Sequence, residues 1–221
     1  AMNLARRLAA EAIGTALLLA IVVGSGIMGE RLSQGNDAIA LLGNSIATGA
    51  GLAVLIFLFA PISGAHFNPI VTLVDALDGK LSRHDAARYV PVQVVAALAG
   101  VAATHMMFGE ALFTPSDHAR TGPSLWWSEF IATFGLILVI RLSAHHSPNA
   151  VPLTVAAYIT AAYWFTASTS FANPAVTIAR SLTPTFAGIR PDGIVGFIIA
   201  QATGAIVATK LAVWIVGTHK K

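Results

Sequence analysis

Two asparagine-proline pairs are the features of this sequence most suited to chemistry. Asn68-Pro69 lies within the letters HFNPIVTL and Asn173-Pro174 within ANPAVTI. Asparagine is a preferred N-cap and proline is favoured at the first helical position, so each pair predicts the start of a helix. The N-terminus of a helix presents backbone N–H groups that have no partner within the helix. Such groups can donate hydrogen bonds to a ligand or a passing solute.

The composition around these pairs is that of an integral membrane protein. Only 10% of the 221 residues are charged and 56% are hydrophobic, with a mean hydropathy of +0.73. This balance leaves apolar side chains for the surface as well as for the core, so a lipid bilayer is the expected partner. The absence of cysteine excludes disulfides, thiolate metal sites and cysteine nucleophiles. The net charge of +3 is dispersed and gives no indication of nucleic acid.

The pattern of apolar runs predicts an all-α integral membrane fold with six transmembrane helices and two re-entrant half-helices. Four runs each suit one span of roughly 20 residues: 12–29, 89–109, 125–140 and 193–209. Two further uncharged runs, 38–74 and 142–179, are too long for one span and too short for two. Each contains an asparagine-proline pair near its end. Each is therefore predicted to hold a full helix and then a half-helix of about 8 to 10 residues, which reaches the middle of the bilayer.

An internal repeat divides the single channel domain, residues 1–221, into two halves at 1–110 and 120–221. The segment EAIGT that begins at Glu11 matches EFIAT at Glu129, and Gln93 matches Gln201 in the same order as the asparagine-proline pairs. Each half has three spans, an odd number, so the second half is predicted to be inverted relative to the first. The run after Arg6 and Arg7 is expected to be a retained first span, because Glu11 interrupts it and further apolar segments follow.

The basic residues predict that both termini are cytoplasmic. Eight fall on the side of the termini and four on the other, and cytoplasmic loops carry the excess of lysine and arginine. The eight are Arg6, Arg7, Lys80, Arg83, Arg88, Arg141, Lys220 and Lys221, and the four are Arg31, Arg120, Arg180 and Arg190.

The inverted repeat brings Asn68 and Asn173 together near the bilayer centre. Two helix N-termini that face each other supply hydrogen-bond donors and a positive potential, which repels cations and disfavours proton relay. This favours a channel for neutral solutes. A coupled transporter also uses broken helices, and it would need an ionisable group at the midplane, for which Glu11 and Glu129 are the candidates. An intramembrane enzyme is disfavoured, since no Gly-x-Ser-x-Gly or His-Glu-x-x-His motif is present.

These motifs resemble those of the major intrinsic protein family, the aquaporins and aquaglyceroporins. The segment SGAHFNP, residues 63–69, is close to the family's first signature, with Ile70 in place of the usual alanine, and Asn173-Pro174-Ala175 matches the second. The resemblance covers nearly the whole chain. It implies a homotetramer in the inner (plasma) membrane, with one pore per subunit, passive bidirectional transport and no cofactor or metal.

The sequence departs from the family at Val176, where an arginine usually follows the second motif and forms the aromatic/arginine constriction. Counting from the motifs assigns Thr48, Ala161 and Ser170 to the other constriction positions. This set predicts a wide, weakly polar filter, which argues against strict water selectivity; a water-selective aquaporin remains the alternative. Val176 and the letters ARSL and FAGI that follow are similar to bacterial aquaglyceroporins linked to arsenic resistance, which suggests neutral arsenite, glycerol-like polyols and water as solutes.

The resemblance also implies roles for four polar residues. Glu11 and Glu129 are expected to accept hydrogen bonds from the backbone of the re-entrant loops, against the proton-coupling alternative. His66 either lines the cytoplasmic vestibule or is satisfied within its loop. Arg180 lies one helical turn beyond Val176 and either returns a charge toward the pore mouth or fixes the loop and meets solvent.

Overall fold

The computed structural model describes residues 2–217, and every regular element in this range is helical. Its α-helices are α1 (Leu4–Leu32), α2 (Asp37–Ser63), α3 (Pro69–Leu77), α4 (Arg83–Phe108), α5 (Pro123–His146), α6 (Val151–Phe165), α7 (Pro174–Arg180) and α8 (Ile194–Val216). Short 3₁₀ helices, Pro148–Ala150 and Pro191–Gly193, precede α6 and α8. Lys220 and Lys221, which contribute to the charge count for the cytoplasmic side, lie outside the described residues.

Local side-chain chemistry explains where several helices begin and end. Asn3, Asn36 and Ser82 accept hydrogen bonds from backbone N–H groups in the first turns of α1, α2 and α4. The short helices α3 and α7 begin at the two asparagine-proline pairs, with asparagine as N-cap and proline at the first helical position. Helix α2 ends at Gly64, whose φ of 94° lies in the left-handed region that glycine adopts without steric cost.

The predicted combination of full helices and half-helices is confirmed. In the described part of the chain, α1, α2, α4, α5 and α8 are long and apolar enough to span a membrane. Helix α6 has only 15 residues, about 22 Å at 1.5 Å per residue, and Pro148–Ala150 extends it at its N-terminal end. Helices α3 and α7 have nine and seven residues. Each therefore reaches less than halfway across a hydrocarbon core of about 30 Å.

The helices of the two halves pack in matching ways. Helix α1 packs against α2 and α4, and α5 packs against α6 and α8, while α2 contacts α6 across the middle. The half-helices α3 and α7 each contact both α4 and α8, and they also contact each other. Six long or medium helices thus surround two short ones, and the starts of the short helices lie in the interior.

One glycine in each half of the chain allows this close packing. A Cβ on Gly100 in α4 would lie 2.3 Å from the carbonyl oxygen of Ala16 in α1. A Cβ on Gly204 in α8 would lie 2.4 Å from the carbonyl oxygen of Phe130 in α5. Both distances are far below van der Waals contact, so a larger residue would push the helices apart. Close contacts at small residues are typical of helices packed within a membrane.

Apolar side chains form the outer surface of the bundle as well as its core. Large apolar side chains point outward, such as Phe57 at 71% exposed and Trp214 at 78%, whereas the carboxylates of Glu11 and Glu129 are fully buried. Charged side chains are almost never buried unless they are paired or hydrogen-bonded. The outer surface therefore suits lipid, and the buried polar groups mark the interior region that needs explanation.

Candidate functional site

The N-termini of α3 and α7 are joined by a reciprocal pair of hydrogen bonds. Asn68 Nδ2 donates to the carbonyl oxygen of Ala172 at 2.8 Å, and Asn173 Nδ2 donates to the carbonyl oxygen of Phe67 at 2.8 Å. The Oδ1 of each asparagine accepts a backbone N–H from its own helix. The two helix starts are therefore cross-linked directly. One amide proton of each asparagine takes part, which leaves one per side chain for a solute.

The loops that lead into the two half-helices share an unusual backbone. Ala65 and Phe67 have φ values of 50° and 49°, and Ser170 and Ala172 have φ values of 52° and 48°. The members of each matching pair are separated by the same number of residues as Asn68 and Asn173. Non-glycine residues in the left-handed region are strained and persist only when their surroundings hold them. Both loops therefore need support from the rest of the protein.

Glu11 in α1 provides this support to the first loop. Its fully buried carboxylate accepts hydrogen bonds from the backbone N–H groups of His66 at 2.9 Å and Phe67 at 2.7 Å. The hydroxyl of Ser63 donates at 2.6 Å, and Gln93 in α4 donates at 2.8 Å. Four donors thus satisfy the two carboxylate oxygens, and a charge-assisted hydrogen bond is roughly twice as strong as a neutral one.

Glu129 in α5 holds the second loop with a matching set of contacts. Its carboxylate accepts from the backbone N–H groups of Phe171 at 2.8 Å and Ala172 at 2.9 Å, and from the hydroxyl of Ser168 at 2.6 Å. Gln201 in α8 donates at 2.6 Å. The structure therefore places both glutamates behind the loops, in hydrogen-bond networks, and neither of them lines the cavity between the loops.

One cavity passes the asparagine pair and extends along both half-helices. It has a volume of about 130 Å³ and is lined by α1, α2, α5, α6 and the two re-entrant segments. Asp75 lines it in the last turn of α3, and Arg180 lines it at the end of α7. We call these two ends the Asp75 mouth and the Arg180 mouth. Because the half-helices point in opposite directions from their joined starts, the cavity has the form of a pore with Asn68 and Asn173 at its middle.

Three of the four residues predicted for the constriction line this cavity. Thr48, Ser170 and Val176 are buried and contact it. Ala161 is exposed on the outer face of α6 and does not line the cavity, so that assignment is corrected. Tyr163, two residues further along α6, is buried and lines the cavity. Two residues turn a helix by about 200°, so Ala161 and Tyr163 lie on nearly opposite faces.

The cavity wall beside Thr48 contains an aromatic side chain that carries a hydroxyl group, Tyr163. The hydroxyl of Tyr163 lies 3.2 Å from that of Thr48. The hydroxyl of Ser170 is buried, and no hydrogen-bond partner for it exists among residues 2–217. Val176 contributes only methyl groups. The prediction of a filter made entirely of small side chains is therefore wrong at one position, because a tyrosine is large.

His66 lies at the Asp75 mouth, where it both faces the cavity and has partners within the protein. It lines the cavity, and its Nε2 lies 3.1 Å from a carboxylate oxygen of Asp75. Its Nδ1 is 3.0 Å from the hydroxyl of Thr72. Lys80 lies 3.9 Å from the other oxygen of Asp75. Asp75 therefore has two basic neighbours, and the polar groups at this mouth are hydrogen-bonded or paired within the protein.

Arg180 lies at the opposite mouth and is only 2% exposed. Its Nε donates to the carbonyl oxygen of Ala187, and its guanidinium carbon lies 3.4 Å from the centre of the Phe171 ring. Arg180 and Phe171 both line the cavity. The structure thus combines two of the alternatives for this arginine, since it reaches the pore and also fixes the following loop. It does not extend into solvent.

The middle of the cavity is suited to binding neutral solutes. The two helix N-termini and the two asparagine amides supply hydrogen-bond donors and a positive potential. Among residues 2–217, the titratable side chains that line the cavity are His66, Asp75, Tyr163 and Arg180, and none of them belongs to the asparagine-proline pairs. A coupled transporter would need an ionisable or ion-coordinating site at this depth.

Sequence reasoning missed Tyr163 and Phe171 as pore residues. A signal for Tyr163 was present, because every fourth residue of α6 from Val151 onward lines the cavity, including Val155 and Ile159. This spacing defines one helical face. Counting backward from Asn173 gave a different result, because such counting assumes a fixed length for the loop between α6 and α7.

Comparison with known proteins agrees with this geometry. The sequence model of the major intrinsic protein family matches residues 1–160. Aquaglyceroporin AqpS of Rhizobium meliloti (strain 1021) is 54% identical over 213 residues, which cover 96% of this chain and 91% of that protein. Glycerol uptake facilitator protein-like 6 of Lactiplantibacillus plantarum is 24% identical over 214 residues, with 92% and 94% covered.

A solved structure shows the same fold. The aquaglyceroporin from Plasmodium falciparum superimposes with a TM-score of 0.70 at 18% sequence identity, and the match covers 97% of each chain. At this identity the likeness supports the fold alone. The family match and the AqpS similarity together extend over both asparagine-proline pairs. The chain therefore belongs to the major intrinsic protein family, and it is a membrane channel for small solutes and not an enzyme.

Proposed function

We propose that this channel passively conducts small neutral solutes larger than water, together with water itself. Glycerol-like polyols and neutral hydroxy-metalloids such as arsenite are the solute classes. One observation carries the proposal: the residue that follows the second asparagine-proline-alanine motif is Val176, and it lines the cavity with an apolar side chain. An arginine at this position would add a long cation with five N–H donors to the pore wall.

The other cavity residues support the same solute class. The wall is largely aliphatic, with side chains such as Leu52, Val155 and Ile159, which suits the carbon skeleton of a polyol. Polar groups are few, and they include the unpartnered hydroxyl of Ser170. A pocket with a mainly apolar wall and a few directed polar groups favours a solute that has both apolar and hydroxyl surfaces. Tyr163 makes one part of the wall bulkier than expected, and this limits the size of the solute.

The proposal includes the assembly and orientation of the channel. We place it in the plasma membrane as a homotetramer with one pore per subunit, and with the N- and C-termini in the cytoplasm. The orientation follows from the excess of basic residues on the side of the termini. The residues proposed to form the pore are the two asparagine-proline motifs, Thr48, Tyr163, Ser170 and Val176, with Glu11, Glu129 and His66 as supports of the loops.

Stopped-flow measurements on proteoliposomes test the proposal. The permeabilities to water, glycerol, urea and arsenite are measured with and without a proton or sodium gradient, against protein-free liposomes. We expect flux of glycerol and arsenite above background that depends only on the solute's own gradient. Water flux without any glycerol or arsenite flux would identify a water-selective channel instead. A solute flux that follows the ion gradient would identify a coupled transporter.

A further inference from the structure

The two mouths of the pore carry opposite charges at matching positions of the repeat. Asp75 in α3 and Arg180 in α7 are separated by the same number of residues as Asn68 and Asn173, and both line the cavity. Asp75 has two basic neighbours, His66 and Lys80. No carboxylate lies within 4 Å of Arg180 in the part of the chain that the structure describes. Asp75 and Arg180 therefore occupy matching positions, but only the charge of Asp75 is paired with side chains of opposite charge among the described residues.

Other arginines in this protein show how unusual Arg180 is. Among the residues that the structure describes, four arginines form ion pairs with nearby carboxylates: Arg7 with Asp85, Arg31 with Glu110, Arg141 with Asp78 and Arg190 with Asp192. All four are more exposed than Arg180, which is 2% exposed. A buried charge without a partner is costly. Packing alone therefore does not explain why a buried guanidinium without a carboxylate partner lies at a pore mouth.

The guanidinium of Arg180 is held in place while its outer nitrogens stay available. Nε donates to Ala187, and the plane rests on the ring of Phe171 at 3.4 Å from the centroid. Phe171 is itself fixed by an edge-to-face contact with Phe197, whose centroid lies 5.2 Å away. Within residues 2–217 no acceptor bonds to Nη1 or Nη2 of Arg180. These two nitrogens carry four N–H donors in a rigid fork.

Arg120 is a second arginine beside the ring of Phe171. It lies in the loop between α4 and α5, with its guanidinium carbon 5.6 Å from the centre of the Phe171 ring. It donates to the carbonyl oxygen of Gly188 at 2.8 Å and does not line the cavity. Burial lowers the pKa of Arg120 from its ordinary value. Arg120 therefore contacts the same ring and the same loop as Arg180, but it has no access to a solute in the pore.

We propose that Arg180 is the solute-binding residue of the Arg180 mouth, where its Nη1 and Nη2 groups donate hydrogen bonds to the oxygen atoms of a small neutral polyhydroxy solute. This inference rests on the proposed function, since it names the recognition group for that class of solute. The backbone of Arg180 lies one helical turn beyond Val176, while its guanidinium lies against the ring of Phe171, which follows Ser170 in the chain. The N–H donors that Val176 lacks are thus supplied to the cavity by Arg180.

Glycerol is the probe for this proposal. The experiment measures how strongly glycerol binds at the Arg180 mouth, through its effect on water exchange. Water exchange across proteoliposomes is followed by stopped-flow mixing of H₂O and D₂O at increasing glycerol concentration, equal on both sides so that no osmotic gradient forms. Bound glycerol at the mouth slows water exchange, so the concentration for half-inhibition reports binding. Glycerol flux is measured separately on the same vesicles.

Arg180→Met keeps the length and apolar contact of the side chain but removes every donor. We expect it to raise the half-inhibiting glycerol concentration about tenfold, which corresponds to about 1.4 kcal/mol, the scale of one hydrogen bond to a charged group. Arg180→Lys restores the charge without the planar fork and should recover part of the effect. Arg120→Met is the matched control, because it weakens the same ring and loop contacts, and it should stay within about twofold of wild type.

The outcomes separate this inference from the proposed function. An unchanged half-inhibiting concentration in Arg180→Met, or an equal shift in Arg120→Met, would show that Arg180 only supports the loop and would overturn the inference. Absence of inhibition in the wild type would also overturn it. Inhibition that depends on Arg180 without any glycerol flux would keep the inference and refute conduction of polyols. If Arg180→Met does not fold, Arg180→Leu, which is neutral and also has no donor, decides by the same criterion.

Discussion

The hydroxyl of Thr48 on α2 lies 3.2 Å from the hydroxyl of Tyr163 on α6, and both side chains line the cavity. This contact joins two helices from different halves of the chain in the wall of the cavity. It also holds the tyrosine ring in one orientation, since a buried phenol rarely lacks a hydrogen-bond partner. The width of the pore at this level thus depends on a side chain whose hydroxyl group is hydrogen-bonded within the protein.

The first prediction tests whether Tyr163, and not Ala161, belongs to the proposed constriction. Tyr163→Ala removes the ring from the pore wall, so we expect glycerol permeability to rise several-fold relative to water permeability. Ala161→Val is the control, because Ala161 faces outward from α6, and this change should leave both permeabilities as in the wild type. Both are measured by stopped-flow light scattering on the same vesicles. The opposite result, with a selectivity change in Ala161→Val alone, would restore Ala161 to the filter.

The second prediction concerns Val176. Val176→Arg adds a long cation to the narrow part of the pore, and water can exchange hydrogen bonds with a guanidinium while glycerol or a trihydroxy metalloid must fit beside it. We expect a much larger loss of permeability for glycerol and arsenite than for water, with cations excluded in both forms by the paired helix N-termini. Osmotic water flux and solute flux are measured in the same proteoliposomes and normalised to folded protein.

Val176→Met is the matched control for this substitution, because it adds length without charge or donors. A smaller loss in Val176→Met than in Val176→Arg would assign the effect to the cation. Equal losses for every solute in Val176→Arg, or no loss for the larger ones, would mean that Val176 does not lie at the size-selecting constriction.

The third prediction concerns the cross-link between the half-helices. Asn68→Asp places a carboxylate opposite the carbonyl oxygen of Ala172, and Asn173→Asp places one opposite that of Phe67. Each change removes a donor and adds a charge that is expensive at this depth. We expect both variants to lose folded yield or neutral-solute flux to a similar extent, because the two hydrogen bonds are reciprocal. Detergent-extracted yield and glycerol flux test this. Wild-type values of both quantities in both variants would contradict the assigned role.

The fourth prediction concerns Glu11. Glu11→Gln replaces one of two acceptor oxygens by a donor, so at least one of the four groups that donate to it loses its partner. An unsatisfied buried donor costs about 1–3 kcal/mol. We expect a lower unfolding temperature in detergent and reduced folded yield, with solute flux that still follows only the solute gradient. A proton-coupled current in the wild type that this substitution abolishes would instead establish Glu11 as a coupling residue.

The sequence by itself determined those properties of this protein that depend on near neighbours in the chain or on the surrounding solvent. The lengths of its uncharged runs predict full helices and half-helices, because the thickness of the bilayer sets how many apolar residues a span needs. The starts of α3 and α7 follow from the capping preference of asparagine and the backbone geometry of proline, which act within a few residues. The order of Glu11, Asn68 and Gln93, repeated as Glu129, Asn173 and Gln201, likewise needs only the chain itself. Each of these properties depends on near neighbours in sequence or on the solvent.

Only the tertiary structure decided which side chains reach the pore. The face that α6 turns inward depends on the length and path of the loop before Asn173, so counting along the sequence chose Ala161 where Tyr163 lies. The burial of Arg180 depends on Phe171 and Ala187, which the folding of the following loop brings to it. The cross-link of Asn68 to Ala172 joins residues that are far apart in the chain. Such contacts arise when helices pack in three dimensions, and packing is a property of the whole bundle rather than of any one segment.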